Sequence, residues 1–282
     1  MDRVVMGQTA AMHDASTPDP TAPVEGGSVT LERRDHVAVV TVDRPPHNLL
    51  RVADLGAVAD AVDEAATWAR AVVLAAHGRS FCAGADFRSD GSPDPTDRQA
   101  FAAQTSAFYA QARRLFAAPV PLVAAVHGAA IGAGFGLALA CDMRVVGPDA
   151  WFQANFVHLG IHPGFALSLT VPRLIGPGRA ADLFLTGRRV AGEEAVSLGL
   201  AERLSAAGHE LDDAATLAAT IAAGAPLAVA ATRRTLRARL ADEAAAAMDR
   251  ELRQQTELAG TADAVEGVQA MLAKRPPVFV GR

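Results

Sequence analysis

The chain has little cysteine, no excess of positive charge and no long apolar run, and each shortage excludes something. Two cysteines in 282 residues, Cys82 and Cys141, form no metal-binding pattern. Both sit among apolar neighbours and read as small buried hydrophobes in a reducing compartment. Lys and Arg number 26 against 31 Asp and Glu, a net charge of −5 without a basic stripe, which argues against a nucleic-acid partner. No run of about 18 apolar residues exists, so no membrane span is expected. Residues 1–27 lack the apolar core of a signal peptide and carry Pro18, Pro20, Pro23, Gly26 and Gly27 among small polar residues. They read as a disordered tail of a cytoplasmic protein. No G-x-S-x-G occurs, which removes the serine-hydrolase elbow. The glycines Gly132-x-Gly134-x-Gly136 are not G-x-G-x-x-G, and no acidic residue ends the next strand about 20 residues on, so a dinucleotide site is excluded too. There is no internal repeat.

What is there is hydrophobic: half of the residues, enough for one large domain or one domain with an appended helical part. Residues 28–42 alternate and read as a hairpin, closed by Arg44-Pro45-Pro46. Residues 51–70 place Leu55, Val58, Val62 and Ala66 at helical spacing. Residues 71–76 read as a buried strand and 99–118 as a second helix ended by Pro119. Residues 88–98, rich in Ser, Asp, Pro and Gly, read as a surface loop. Residues 120–126, a glycine segment and 142–146 make another strand–helix–strand unit. Such alternation implies an α/β fold with right-handed parallel crossovers. After Gly176 the chain becomes alanine-rich, with helices expected over 179–185, 191–198, 212–223, 226–240, 243–258 and 262–273. We expect a core over 28–200 and a helical oligomerisation region over 201–282.

The most informative segment is the run from Val126 to Asp142. Gly128, Gly132, Gly134 and Gly136 fall between a buried strand and a buried helix. Glycines there let the backbone approach a ligand closely and leave helix-start N–H groups free. Such N–H groups suit negative charge, including the transient oxyanion of a thioester.

Several blocks taken together resemble the enoyl-CoA hydratase/isomerase (crotonase) superfamily. They are Phe81-Cys82-Ala83-Gly84-Ala85-Asp86, the Gly128–Asp142 segment, Leu159-Gly160 followed by Pro163-Gly164, Leu185-Thr186-Gly187 with 195–200, and the Lys274-Arg275-Pro276-Pro277-x-Phe279 tail. The resemblance covers about residues 28–282. It implies a crotonase-type ββα spiral with a C-terminal α-helical trimerisation layer, a homotrimer or dimer of trimers, and an acyl-CoA ligand with no cofactor beyond its CoA moiety. It further implies that backbone N–H groups at Ala85 and Ala133 clamp the thioester oxygen. His47, Asn48, Leu49, Ala83, Asp86, Arg88 and Lys274 match positions along CoA.

One departure from the family matters more than the matches. A hydratase of this kind uses two glutamates, which deliver and remove protons beside the bound thioester. The matching positions here are Gly136 and Phe156, and neither can move a proton. Ordinary hydration is therefore not expected; the resemblance implies an acyl-CoA lyase or isomerase acting through the backbone oxyanion hole, and the alternative is a non-catalytic acyl-CoA binding or carrier protein. Among remaining groups, His162 is the candidate acid/base, because it stands where the chain returns to the pocket beside Pro163. His158 is expected to face helix packing, Asp86 and Asp142 to satisfy backbone N–H groups, and Asn155 to be able to hydrogen-bond a substrate without acting as a base. With Gly136 lacking a side chain and Phe156 apolar, the acyl pocket is expected to be hydrophobic and roomy on one side.

Overall fold

The computed structural model describes residues 29–86 and 97–282. In chain order the elements are β1 (Val29–Arg34), β2 (Val37–Val42), α1 (Val52–Ala65), β3 (Ala71–Ala76), α2 (Arg98–Ala117), β4 (Leu122–Val126), β5 (Ala129–Ile131), α3 (Ala133–Ala140), β6 (Met143–Val146) and β7 (Trp151–Gln153). A 3-10 helix (Asn155–Leu159) follows. Then come α4 (Leu167–Ile175), α5 (Pro177–Thr186), β8 (Arg189–Ala191), α6 (Gly192–Leu198), β9 (Arg203–Leu204), α7 (Glu210–Ala222), α8 (Pro226–Leu236), α9 (Leu240–Leu258) and α10 (Ala262–Leu272).

The main sheet has six strands in the order β1-β2-β3-β4-β6-β9. Its hairpin pair is antiparallel and every later pair is parallel. A small second sheet, β5-β7-β8, stands beside it.

The period-2 alternation of the strands explains how both faces are covered. In β2, Ala38, Val40 and Val42 join the larger core with Leu55, Val58 and Val62 of α1. Val37 and Val39 face the other way, onto Ala214, Leu217 and Ala218 of α7. The same division runs through β3 and β4, with Val72, Leu74, Leu122 and Ala124 on one side and Val73, Val123 and Ala125 on the other.

Several expected elements shift for local reasons. The strand expected from residue 120 begins at Leu122, because Pro121 has no N–H to give a ladder, although its carbonyl accepts from Val72 N at 2.8 Å. The helix expected over 226–240 breaks at Arg237, and Arg239 at φ 67° starts α9. The expected helical layer after residue 200 is not set apart: β9 lies in the main sheet, and α7 covers that sheet's second face. Short β5, β7, β8 and β9, and helix α4, carry too few residues to show a period.

The last two helices back the glycine segment's surroundings. Helix α9 packs along α2, and α10 packs on the 3-10 helix. A Cβ built on Gly267 of α10 would lie 2.5 Å from the Leu159 backbone, and one on Gly160 would lie 2.7 Å from the backbone of Ala264. Backbone therefore meets backbone at this junction, and glycine is required on both sides.

Candidate functional site

Two backbone segments meet where the glycines cluster. Residues 80–86 form neither helix nor long strand and are held chiefly by backbone pairing. Cys82 bridges Ala130 in parallel, with Ile131 N donating to Cys82 O at 3.0 Å and Cys82 N to Ala129 O at 3.0 Å. On the other side, Ala83 N donates to His47 O (2.9 Å), Leu50 N to Gly84 O (2.9 Å) and Asp86 N to Leu50 O (2.8 Å). The segment thus lies between residues 47–50 and the β5–α3 junction. The approach is so close that a Cβ on Gly134 would fall 2.0 Å from Cys82 O.

This packing leaves N–H groups over. Gly132 stands at the N-cap of α3, with φ 54° and ψ −112°, and no side chain caps the helix. Among the described residues, the N–H groups of Ala133 and of Ala85 donate to no protein acceptor. A helix start leaves its first N–H groups unpaired, and here two neighbouring backbones do so together. The arrangement suits a small oxyanion or a polarised carbonyl.

The residues around this point are apolar. Phe156, 8% exposed, sits in the 3-10 helix with its Cζ 3.7 Å from where a Cβ on Gly132 would be, and Asn155 Oδ1 is 3.8 Å from the same point. Among the described residues the Asn155 amide has no protein hydrogen bond. Gly136 overturns the expectation of room on its side. A Cβ there would lie 2.6 Å from Cβ, Cγ and Cδ1 of Phe165, so that ring already fills the space. Phe165 is buried, edge-on to Phe108 with centroids 5.9 Å apart, and tilted against Phe116.

The other expected site residues divide by how fully the protein uses them. Asn48 is fully buried at φ 51°, its amide N donating to His77 O and Ser80 O at 2.7 Å each and its Oδ1 accepting from Arg44 N. Its side chain clasps two loops and is not available to CoA. Asp86 pairs with Arg44, both terminal guanidinium nitrogens lying 3.2 Å from Oδ2, and Arg44 also reaches Asp54 through Nε and the Leu49 carbonyl. His47 is exposed, with Nδ1 3.2 Å from Ser80 Oγ, and Leu49 is half-buried beside it. Lys274, at φ 52° after α10, is exposed, and its ammonium has no partner among the described residues. Arg88 lies outside the described residues.

His162 stands in the return loop, its Nδ1 2.7 Å from the Pro163 carbonyl oxygen. A carbonyl only accepts, so Nδ1 carries the proton and a neutral ring presents its lone pair at Nε2. The ring lines a cleft of about 420 Å³ with Ser168, Arg250, Arg253 and Gln254. His158 is exposed and packs its ring against Gly187. Asp142 accepts from Leu122 N and pairs with Arg233 and Arg237 at 2.9 and 3.0 Å, a clamp between the sheet and α8. Burial pushes both Cys82 and Cys141 up to about 12, so neither is a thiolate nucleophile at neutral pH.

A carboxylate not singled out from the sequence lies behind the loop. Glu251 of α9 is fully buried and accepts from Ala166 N (2.8 Å), Ser168 N (3.0 Å) and Ser168 Oγ (2.6 Å). Its signal was its place on the buried stripe Ala244, Ala247, Met248, Glu251, Gln255. Burial raises its pKa above the ordinary 4.5 despite those hydrogen bonds. The folded chain then keeps a proton that the unfolded chain releases. Stability from Glu251 is full below the ordinary carboxylate value and is lost as pH rises through the folded one. The stability difference between wild type and Glu251→Gln should therefore move in favour of the variant from pH 4.5 upward. Denaturant titrations across that range check it, and parallel curves would sink it.

Comparisons with known proteins bear on the family and the fold. The Enoyl-CoA hydratase/isomerase family model matches residues 32–282. A "Probable enoyl-CoA hydratase" of Rhodobacter capsulatus is 36% identical over 257 residues, covering 90% of this chain and 98% of the relative. A "Carnitinyl-CoA dehydratase" of Proteus mirabilis is 32% identical, covering 90% and 99%. The crystal structure of an enoyl-CoA hydratase/isomerase from Pseudoalteromonas atlantica superposes with a TM-score of 0.78 at 31% identity, covering 90% of this chain and all of that one. The fold is therefore the α/β crotonase fold. The chain belongs to the enoyl-CoA hydratase/isomerase family.

Proposed function

We propose that this chain binds an acyl-CoA thioester with its carbonyl oxygen between the N–H groups of Ala85 and Ala133, and acts in acyl-CoA metabolism without two-carboxylate hydration. One observation carries the reading: two neighbouring backbones each leave an N–H without a protein acceptor beside an apolar wall. Donors fixed in that way are worth most where charge develops on oxygen. His47, Leu49 and Ala83 flank the CoA side, with Ala83 N donating to His47 O. Helix α8 has no fully buried residue, is tied down chiefly by Arg233, and exposes Leu227 and Leu236, which supports a homotrimer or a dimer of trimers. Among the described residues no single helix is long and apolar enough to cross a membrane.

Ala133→Pro tests the oxyanion hole. Ala133 is the first residue of α3, where proline is tolerated because its missing N–H has no helical partner. The variant should keep its fold and lose the red shift that a conjugated enoyl-CoA shows when its carbonyl is polarised. Any turnover should fall about 10²–10³-fold. An unchanged spectrum in the folded variant would place the carbonyl elsewhere.

A non-catalytic carrier is the second reading, favoured by Gly136 and Phe156 at the two proton-transfer positions. The acyl chain then supplies the binding energy. Affinity should climb about fourfold per methylene from acetyl-CoA upward, at ~0.8 kcal/mol each. A calorimetric series of saturated acyl-CoAs reads this directly, and flat affinity from the start would remove the apolar pocket from the argument. His162→Gln separates the two readings. A loss of at least about 10²-fold in turnover at unchanged acyl-CoA affinity would assign proton transfer to that ring, and unchanged turnover would leave it a loop residue.

A further inference from the structure

Phe165 holds an unusual backbone position for a bulky residue. Its φ is 59°, and the next residue, Ala166, has φ 56°. Two successive left-handed residues without glycine are strained and persist only where the surroundings dictate them. The surroundings here are explicit. Glu251 takes Ala166 N and Ser168 N on its two oxygens, and Leu167 N returns to Gly164 O at 3.1 Å. Thr170 Oγ1 donates to Ala166 O at 3.0 Å. On the other side of the turn, Tyr109 Oη and Gln255 Nε2 crowd Gly164 so closely that a Cβ there would fall 2.2 Å from the hydroxyl. The turn therefore has one conformation, and it drives the Phe165 ring against α3 at Gly136.

That contact is one helical turn inside the free N–H of Ala133. The ring stands in the side-chain space of position 136, while Phe108 and Phe116 stand behind it. A side chain at position 136 and a ring at position 165 exclude one another. We propose that Phe165 is the end wall of the acyl pocket and sets the acyl length the site accepts, with Glu251 as the positioning residue that holds the wall in place. The inference rests on the acyl-CoA reading above and adds a limit to it: affinity climbs with chain length and then stops climbing at the ring.

The experiment is the same acyl-CoA series run by calorimetry on wild type, Phe165→Leu, Phe165→Ala and Glu251→Ala. Wild type should level off. Phe165→Ala should move the plateau outward by at least about two methylenes, roughly 15-fold in affinity for the longer ligands. Phe165→Leu, closer in volume and safer for folding, should move it part of the way. Glu251→Ala should blur the plateau toward the Phe165→Ala profile, which a merely stabilising role would not do. A wild-type protein that binds no acyl-CoA at all would overturn the functional reading. A wild type that levels off, beside folded Phe165 variants with the same plateau, would overturn this inference and leave that reading intact.

Discussion

Crotonyl-CoA should be hydrated at least about 10³-fold more slowly by this chain than by a relative carrying both carboxylates. Each positioned acid or base contributes roughly 10²–10⁴ in rate, and both are missing. Position 136 is a glycine whose side-chain space is filled by carbon, and position 156 is a ring 8% exposed. No water could be activated by either. On the proposed reading the unpaired N–H groups of Ala85 and Ala133 still polarise a bound carbonyl, so acyl-CoA binding should survive where turnover does not. The loss of enoyl absorbance on hydration is the measurement. A turnover number of about 10 s⁻¹ or more, the ordinary enzyme scale, would falsify the assignment of those two positions.

Putting the carboxylates back should fail at first. Gly136→Glu forces a side chain into atoms of Phe165 2.6 Å from its Cβ and places a charge among Phe108, Phe116 and Phe165. Overpacking and an unpaired buried charge together should cost at least about 3 kcal/mol of stability. The double variant Gly136→Glu with Phe156→Glu should accordingly be destabilised and inactive. Adding Phe165→Gly removes the obstruction and suits the left-handed backbone of that position. The triple variant should exceed the double by at least about 10² in crotonyl-CoA hydration. Urea midpoints and the hydration assay together decide it. A double variant of wild-type stability would mean that the ring swings aside at little cost, and Phe165 would then not be a wall.

The parts of this molecule that were legible in the sequence are those where local chemistry and final position agree. Strand Ala71–Ala76 is apolar on both faces and lies buried between two helical layers, so its residues alone define it. The glycines of the α3 start announce close backbone approach, and Gly134 against Cys82 O is such an approach. Gly136 misled for the opposite reason. A missing side chain suggests space, but the space belongs to whatever the fold delivers there, and Phe165 arrives from a turn 29 residues later with no periodic signal. Asn48 and Asp86 point toward CoA only through the family resemblance, which matches positions and not the contacts that each side chain makes here. Their hydrogen bonds are long-range, to His77, Ser80 and Arg44, and only the folded chain reveals that these groups are already taken.

The glycine contacts between α10 and the 3-10 helix carry a consequence for how the protein is made. Phe156 rests on a helix whose far side is closed by Gly267, and Phe165 rests on a turn whose N–H groups are closed by Glu251. Both supports lie in the last 32 residues of a 282-residue chain. On the ribosome, synthesis delivers the sheet and the glycine segment long before those supports emerge. A nascent chain can therefore bury its strands early while the 3-10 helix under Phe156 and the turn under Phe165 still lack their backing.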